Sequence, residues 1–96
     1  MPTLRIEHPI VDFALWRQAF DTFAEARSQS RVLRHRIMRP VDDDHYVTID
    51  LDFLTTDAAR TFLQFLQTTV WSNPQNAPAL AGTPNTRIFQ PVDEDR

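Results

Sequence analysis

Ninety-six residues, 42% hydrophobic and 24% charged, make one globular domain, small enough that its stability margin is thin and oligomerisation is a common remedy. A net charge of −3 gives no basic face for nucleic acid, and no apolar run approaches the ~18–20 residues of a membrane span. Zero cysteines exclude disulfides, Cys-ligated zinc, iron–sulfur clusters and thiol nucleophiles; all ten basic residues are arginine, which also excludes a Schiff-base or phosphate-loop lysine.

Thr3 to His8 alternates, Leu4 and Ile6 on one face against Arg5 and Glu7 on the other, as a half-buried strand ended by Pro9. His8 then stands at the strand end, facing solvent or a cavity mouth. Asp12 occupies the N-cap position of a first helix, which Phe13, Trp16, Ala19, Phe20, Phe23 and Ala24 carry at helical spacing to about Ser28. Trp16 falls in its core stripe. Arg31 to Arg39 reads as a second strand, with Leu33, His35 and Ile37 on one face and Arg34 and Arg36 on the other.

His45 to Phe53 is a third strand: Val47, Ile49, Leu51 and Phe53 alternate against Tyr46, Thr48, Asp50 and Asp52. The joining segment, Pro40 to Asp44, has hairpin length. Its Asp42-Asp43-Asp44-His45 cluster resembles a metal site only superficially, because adjacent carboxylates cannot all aim at one cation; Asp side chains favour turns by bonding nearby backbone N–H groups. No metal is therefore expected.

Thr55 or Thr56 caps a second helix with Asp57 in its first turn, and Ala59, Phe62, Leu63, Leu66 and Val70 form its buried stripe. Residues Ser72 to Asn85 hold three prolines and the chain's single glycine, Gly82, in a loop too apolar for a free linker, so it packs on the domain. Trp71, at the start of that loop, is placed to close a ligand slot or anchor a second copy, with Phe65 a weaker candidate for the same surface. Thr86 to Val92 is the fourth strand. Residues 1–92 thus form the domain, and Asp93 to Arg96 an acidic tail expected to fray.

The order β-α-β-β-α-β defines an α+β, ferredoxin-like fold: a four-stranded antiparallel sheet with two helices on one face. RNA-recognition motifs share that order, but the third strand here has neither the glycines nor the basic residue they need, and carries acids instead. The face opposite the helices carries Arg5, Glu7, Arg34, Arg36, Tyr46, Thr48, Asp50 and Asp52. In a monomer it would be a solvated surface with cross-strand Arg–Asp pairs.

Val11-Asp12-Phe13 with Trp16 and Phe20, then Asp43-Asp44 with Val47, Ile49 and Phe53 ahead of a second helix, resemble the dimeric α+β barrel superfamily. The likeness is strongest to small bacterial proteins near the antibiotic-biosynthesis monooxygenases. It spans nearly the whole chain, and its marks are architectural. It implies a homodimer in which two sheets face each other, so that the polar face lines an interior. Arg34, Arg36, Tyr46, Asp50 and Trp71 are then the candidate cavity-lining, ligand-binding residues. It also implies an aromatic small molecule as partner, since some members oxidise quinols with molecular oxygen and no cofactor.

Catalytic residues do not transfer. Heme-degrading relatives have an Asn on strand one and a His on helix two, and this chain has neither; the Asn of the cofactor-free quinol monooxygenases also finds no match. Two functions follow. One is a cofactor-independent monooxygenase or related enzyme on an aromatic, quinol-like molecule; the other is a non-catalytic dimeric small-molecule binding or stress-related protein. No cofactor, nucleic acid or membrane enters either. The Met1 to Pro9 segment has no apolar signal core, so the cytoplasm is the expected location. An isolated histidine, tyrosine or carboxylate beside an apolar slot would favour the enzyme; a cavity of mutually paired Arg34, Arg36 and Asp50 would favour the binder.

Overall fold

Alternating apolar and polar residues give each strand one dry and one wet face, and the computed structural model, which describes residues 1–92, builds four such strands into one sheet. They are β1 (Thr3–Pro9), β2 (Arg34–Met38), β3 (Tyr46–Asp52) and β4 (Asn85–Phe89), in the spatial order β2-β3-β1-β4 with every neighbour antiparallel. Leu4 sits opposite Leu51, Ile6 opposite Ile49 and His8 opposite Val47; His35 and Ile37 continue these rows on β2. That register gathers Leu4, Ile6, Ile37, Val47, Ile49, Leu51 and Ile88 on one face, while Met38 and Phe89 fall on the other. The tail Asp93 to Arg96 lies outside the described residues.

Helices cover the apolar face. In α1 (Phe13–Thr22) the Asp12 carboxylate accepts the Leu15 N–H at 2.8 Å, as an N-cap should. The first helix does not run unbroken to Ser28, because Phe23 leaves helical geometry (φ −98°, ψ 19°) and a separate α2 (Ala24–Gln29) follows. The Phe20 carbonyl at this break accepts both the Phe23 N–H, at 3.2 Å, and the Arg27 guanidinium. Arg31 closes α2 in the left-handed region (φ 67°). Its N–H reaches the Ser28 carbonyl and that of Val32 the Arg27 carbonyl, both at 3.1 Å, the paired pattern of a Schellman cap.

That cap consumes Arg31 and Val32, so β2 begins later than its alternation suggests. Leu33, expected in the core, is 52% exposed: it precedes β2 on the sheet's edge, beyond the helical cover. In the second half, Thr55 caps α3 (Thr56–Phe65) by accepting the Ala58 N–H. The helix then widens into a π-helical turn (Leu66–Val70), closed by a Trp71 N–H to Leu66 carbonyl bond of 2.7 Å. Gln90 to Val92 extend past β4, which is shorter than expected.

Leu4, Val47 and Phe53 are wholly buried between sheet and helices, against Ala59, Phe62, Leu66 and Val70. Each large apolar side chain so enclosed contributes about 1.5–3 kcal/mol. The loop after Trp71 packs, as its composition requires. Ala79 is buried, Val11 donates to the Ala79 carbonyl at 2.8 Å, and Ala81 donates to the Pro9 carbonyl at 3.2 Å, so the loop straps across the end of β1. No helix among the described residues is long and apolar enough to cross a membrane.

Candidate functional site

The strap, the helices and the sheet do not close completely on one another. Between them lies a cavity of about 80 Å³, floored by Ile6, His8, Ile49 and Leu51 of the sheet. Trp16, Ala19 and Phe20 of α1 wall it on one side, and Phe62, Leu66, Val70 and Trp71 on the other; Ala77, Ala79 and Leu80 of the strap close it. The lining is almost wholly apolar. Three polar side chains interrupt it: His8, Arg27 and Asn76. Trp71 and Leu80 also line an outer groove with Ser72, Gly82 and Pro84, so these two residues border both spaces.

His8 is 3% exposed. The alternation of β1 carries it to the same face as Leu4 and Ile6, so it points under the helices rather than into solvent at the strand end. Its Nδ1 lies 2.9 Å from the Pro9 carbonyl oxygen. A carbonyl can only accept, so Nδ1 carries the proton and Nε2 keeps a lone pair. Nε2 has no partner among the described residues and is not sealed off, and His8 is one of the residues that line the cavity. Burial draws the imidazole below its ordinary 6.5, partly opposed by the Pro9 carbonyl. At neutral pH His8 is a neutral base in an apolar slot.

Arg27 is 8% exposed, reached by α2 at seven residues from Phe20 and four from Phe23. One N–H group serves the Phe20 carbonyl, and the guanidinium lies 3.6 Å from the centroid of the Phe20 ring. Burial depresses its pKa, while Asp21 and Arg17 act on it with opposite signs. Asn76 is held by its own donation to the Thr69 carbonyl at 2.9 Å.

Of the residues singled out from sequence, Trp71 lines this cavity. Arg34, Arg36, Tyr46 and Asp50 lie together on the other side of the sheet. There Arg5 binds Asp50 through two bonds, Nε–Oδ1 at 2.8 Å and Nη2–Oδ2 at 2.9 Å. Arg34 pairs with Asp52, which also accepts from the Thr3 hydroxyl at 2.6 Å. That hydroxyl first, then Arg34 and Arg36, hold the Asp52 carboxyl below the usual range. Tyr46 donates to Glu7 Oε1 at 2.7 Å, and this bond first of all raises its phenol pKa. Arg34, Arg36, Asp50 and Asp52 border a depression with Thr3 and His35, on the opposite side of the sheet from the apolar cavity.

The acidic turn is a turn. The Asp43 carboxylate accepts the His45 N–H at 2.8 Å, all three aspartates are exposed, and no metal-binding cluster occurs among the described residues. His35 faces the helices but remains exposed, its ring edge-on to Phe20. Phe65 packs on Phe23 and Phe62 instead of reaching the slot. Sequence reading did not single out His8 and Arg27 as site residues, yet the signal existed: His8 extends the Leu4–Ile6 alternation by one step, and Arg27 extends the Phe20–Phe23 stripe by one turn.

No protein-family model matches this chain, and no curated protein does. Solved structures do. SnoaB, a cofactor-independent oxygenase from Streptomyces nogalater, aligns with a TM-score of 0.73 over 97% of this chain and 94% of its own, at 19% identity. An antibiotic biosynthesis monooxygenase aligns at 0.69 over 97% of this chain and all (100%) of its own, at 11% identity. A dimeric ferredoxin-like protein from an uncultured marine organism gives 0.63, with 98% and 97% covered at 11% identity. The chain therefore has the ferredoxin-like fold of antibiotic-biosynthesis-monooxygenase-like proteins, as its element order and hairpin residues led one to expect. At these identities the likeness is one of fold.

Proposed function

We propose that this protein is a cofactor-independent oxygenase acting on an aromatic, quinol-like molecule held between sheet and helices, with His8 as the general base. The observation that carries the reading is His8 itself: a buried imidazole that lines an apolar slot, its Nδ1 held on the Pro9 carbonyl and its Nε2 without a partner among the described residues. Such a base needs no metal or cofactor to act on a ring whose conjugate base is delocalised. His8 removes a proton from a ring CH₂ of the keto form, and the resulting carbanion passes one electron to O₂. Recombination at that carbon gives a hydroperoxide, and loss of water leaves a carbonyl. The balance is CH₂ plus O₂ to C=O plus H₂O, and the His8 proton leaves with the water.

The cavity imposes a condition on entry. At about 80 Å³ it is smaller than the roughly 150 Å³ that admits a benzene ring in an engineered protein core. A ring enters as Trp71 and Leu80 give way toward the outer groove. The second copy belongs to the same reading: the polar sheet face, with Asp50 already buried beneath Arg5, is the surface on which two chains pair. A related fold described as dimeric supports this. Light scattering should give twice the chain mass of 11.2 kDa.

The decisive experiment is oxygen uptake with a panel of polycyclic hydroquinones. One O₂ consumed per product carbonyl, abolished in His8→Gln, is the expected result. Ring binding with no uptake from any of them would instead leave a non-catalytic small-molecule binder.

A further inference from the structure

The cavity contains a cation with no anion. Arg27 is buried, lines the slot, and has no carboxylate within ion-pairing distance among the described residues. Its bond to the Phe20 carbonyl and its stacking on the Phe20 ring use one of five N–H groups and one face of the guanidinium. Both contacts orient the group, and neither supplies negative charge. A buried charge that Asp21, itself paired with Arg17, attracts only from beyond contact is costly, and arginine does not escape that cost by losing its proton. We propose that the molecule this cavity takes is an aromatic anion, a ring carrying a carboxylate or an acidic enol, whose negative group pairs with the free N–H groups of Arg27.

This rests on the reading of the cavity as a ligand site, and it narrows the ligand class. The apolar walls take the ring, and Arg27 fixes which end of it lies toward α2. Guanidinium suits the role because its planar fork meets two oxygens at once, which a phenol or amide does not match. The same cation also favours the ionised form of a bound ring, the form that an oxygen-using reaction begins from.

The test uses two probes of nearly equal shape, 2-naphthoate and its neutral amide, titrated at neutral pH. Binding is followed through the indole N–H signals of Trp16 and Trp71, the only two tryptophans and both on the cavity wall. Naphthoate should bind at least about tenfold more tightly than the amide, equivalent to ~1.4 kcal/mol. The preference should collapse in Arg27→Gln and persist in part in Arg27→Lys. Should Arg27→Gln fail to fold, the wild-type comparison alone decides. Equal or tighter binding of the amide by the wild type overturns the charge assignment while leaving an aromatic site standing. If neither probe moves either indole signal, the ligand site itself falls, and this inference with it.

Discussion

Arg5 and Asp50 face each other across β1 and β3 and are joined by two parallel hydrogen bonds of 2.8 and 2.9 Å, although Arg36 faces the same aspartate from β2. With Arg87 opposite Arg5 on β4, one row across the sheet reads Arg87, Arg5, Asp50, Arg36: three cations around a single buried carboxylate. Asp50 therefore anchors the row. Its replacement by Asn leaves the fork of Arg5 half-matched and should lower stability by about 1–3 kcal/mol, the usual cost of a broken hydrogen bond to a charged group. Arg36→Ala removes an exposed side chain and should change stability by less than about 0.5 kcal/mol. Urea denaturation of the two variants beside the parent separates them; similar losses in both would mean that Arg36 shares the carboxylate.

Acid should weaken the fold in two separate windows. His8 lies below its ordinary 6.5 through burial, and His35 does so through burial and then through Arg27 and Arg17, against Asp21. The unfolded chain takes up these protons near 6.5 and the folded chain only at lower pH, so stability is complete above 6.5 and declines as the pH falls through and below it. Asp52, held below 3.8, contributes in the same sense but in a lower window. Its stabilisation is present above 3.8 and is lost only at lower pH, as the folded carboxyl is protonated. His8→Gln should flatten the decline that sets in as the pH falls through 6.5, without touching the lower window. Urea midpoints at several pH values measure it; an unchanged slope would show that His8 is not the group responsible.

The cap of α2 carries strain that one substitution relieves. Arg31 adopts φ 67°, a conformation costing a side-chain-bearing residue roughly 1–2 kcal/mol, while both Schellman bonds use only backbone atoms. Arg31→Gly keeps the bonds and removes the clash, offset by the greater freedom of glycine in the unfolded chain. A gain of up to about 1 kcal/mol is expected, read as a higher urea midpoint with an unchanged slope. A loss would place the Arg31 side chain in a contact that stabilises the fold.

The architecture was legible because strands and helices announce themselves by period. Leu4 and Ile6 against Arg5, and Val47 to Phe53 against Tyr46 to Asp52, give each strand its buried face. What period does not disclose is where an element stops. The break at Phe23 arises from a carbonyl shared with Arg27, seven residues from Phe20, and the exposure of Leu33 from a cap that shortens an edge strand. The site was hidden for a related reason. Charged residues on the open sheet face attract notice as chemistry, whereas His8 and Arg27 sit at positions whose spacing marks them as core. A polar residue in phase with a buried stripe is the more informative signal.

Trp71 is the residue through which the cavity can be opened deliberately. It follows a π-helical turn whose closing bond is its own N–H, and it borders both the slot and the outer groove, half-buried. Wide turns of this kind are sparsely used in helices and frequent where a site has to be shaped. Trp71→Leu removes much of this border while leaving that backbone bond untouched. The lost packing should cost about 1–3 kcal/mol, within the range for trimming a large side chain at a partly buried position. The same change spares an incoming ring the work of displacing an indole, so 2-naphthoate should associate severalfold faster than with the parent. Stopped-flow mixing, followed through the remaining fluorescence of Trp16, gives the rate. An association rate equal to or below that of the parent would mean that the ring reaches His8 by another opening, and that Trp71 serves packing alone.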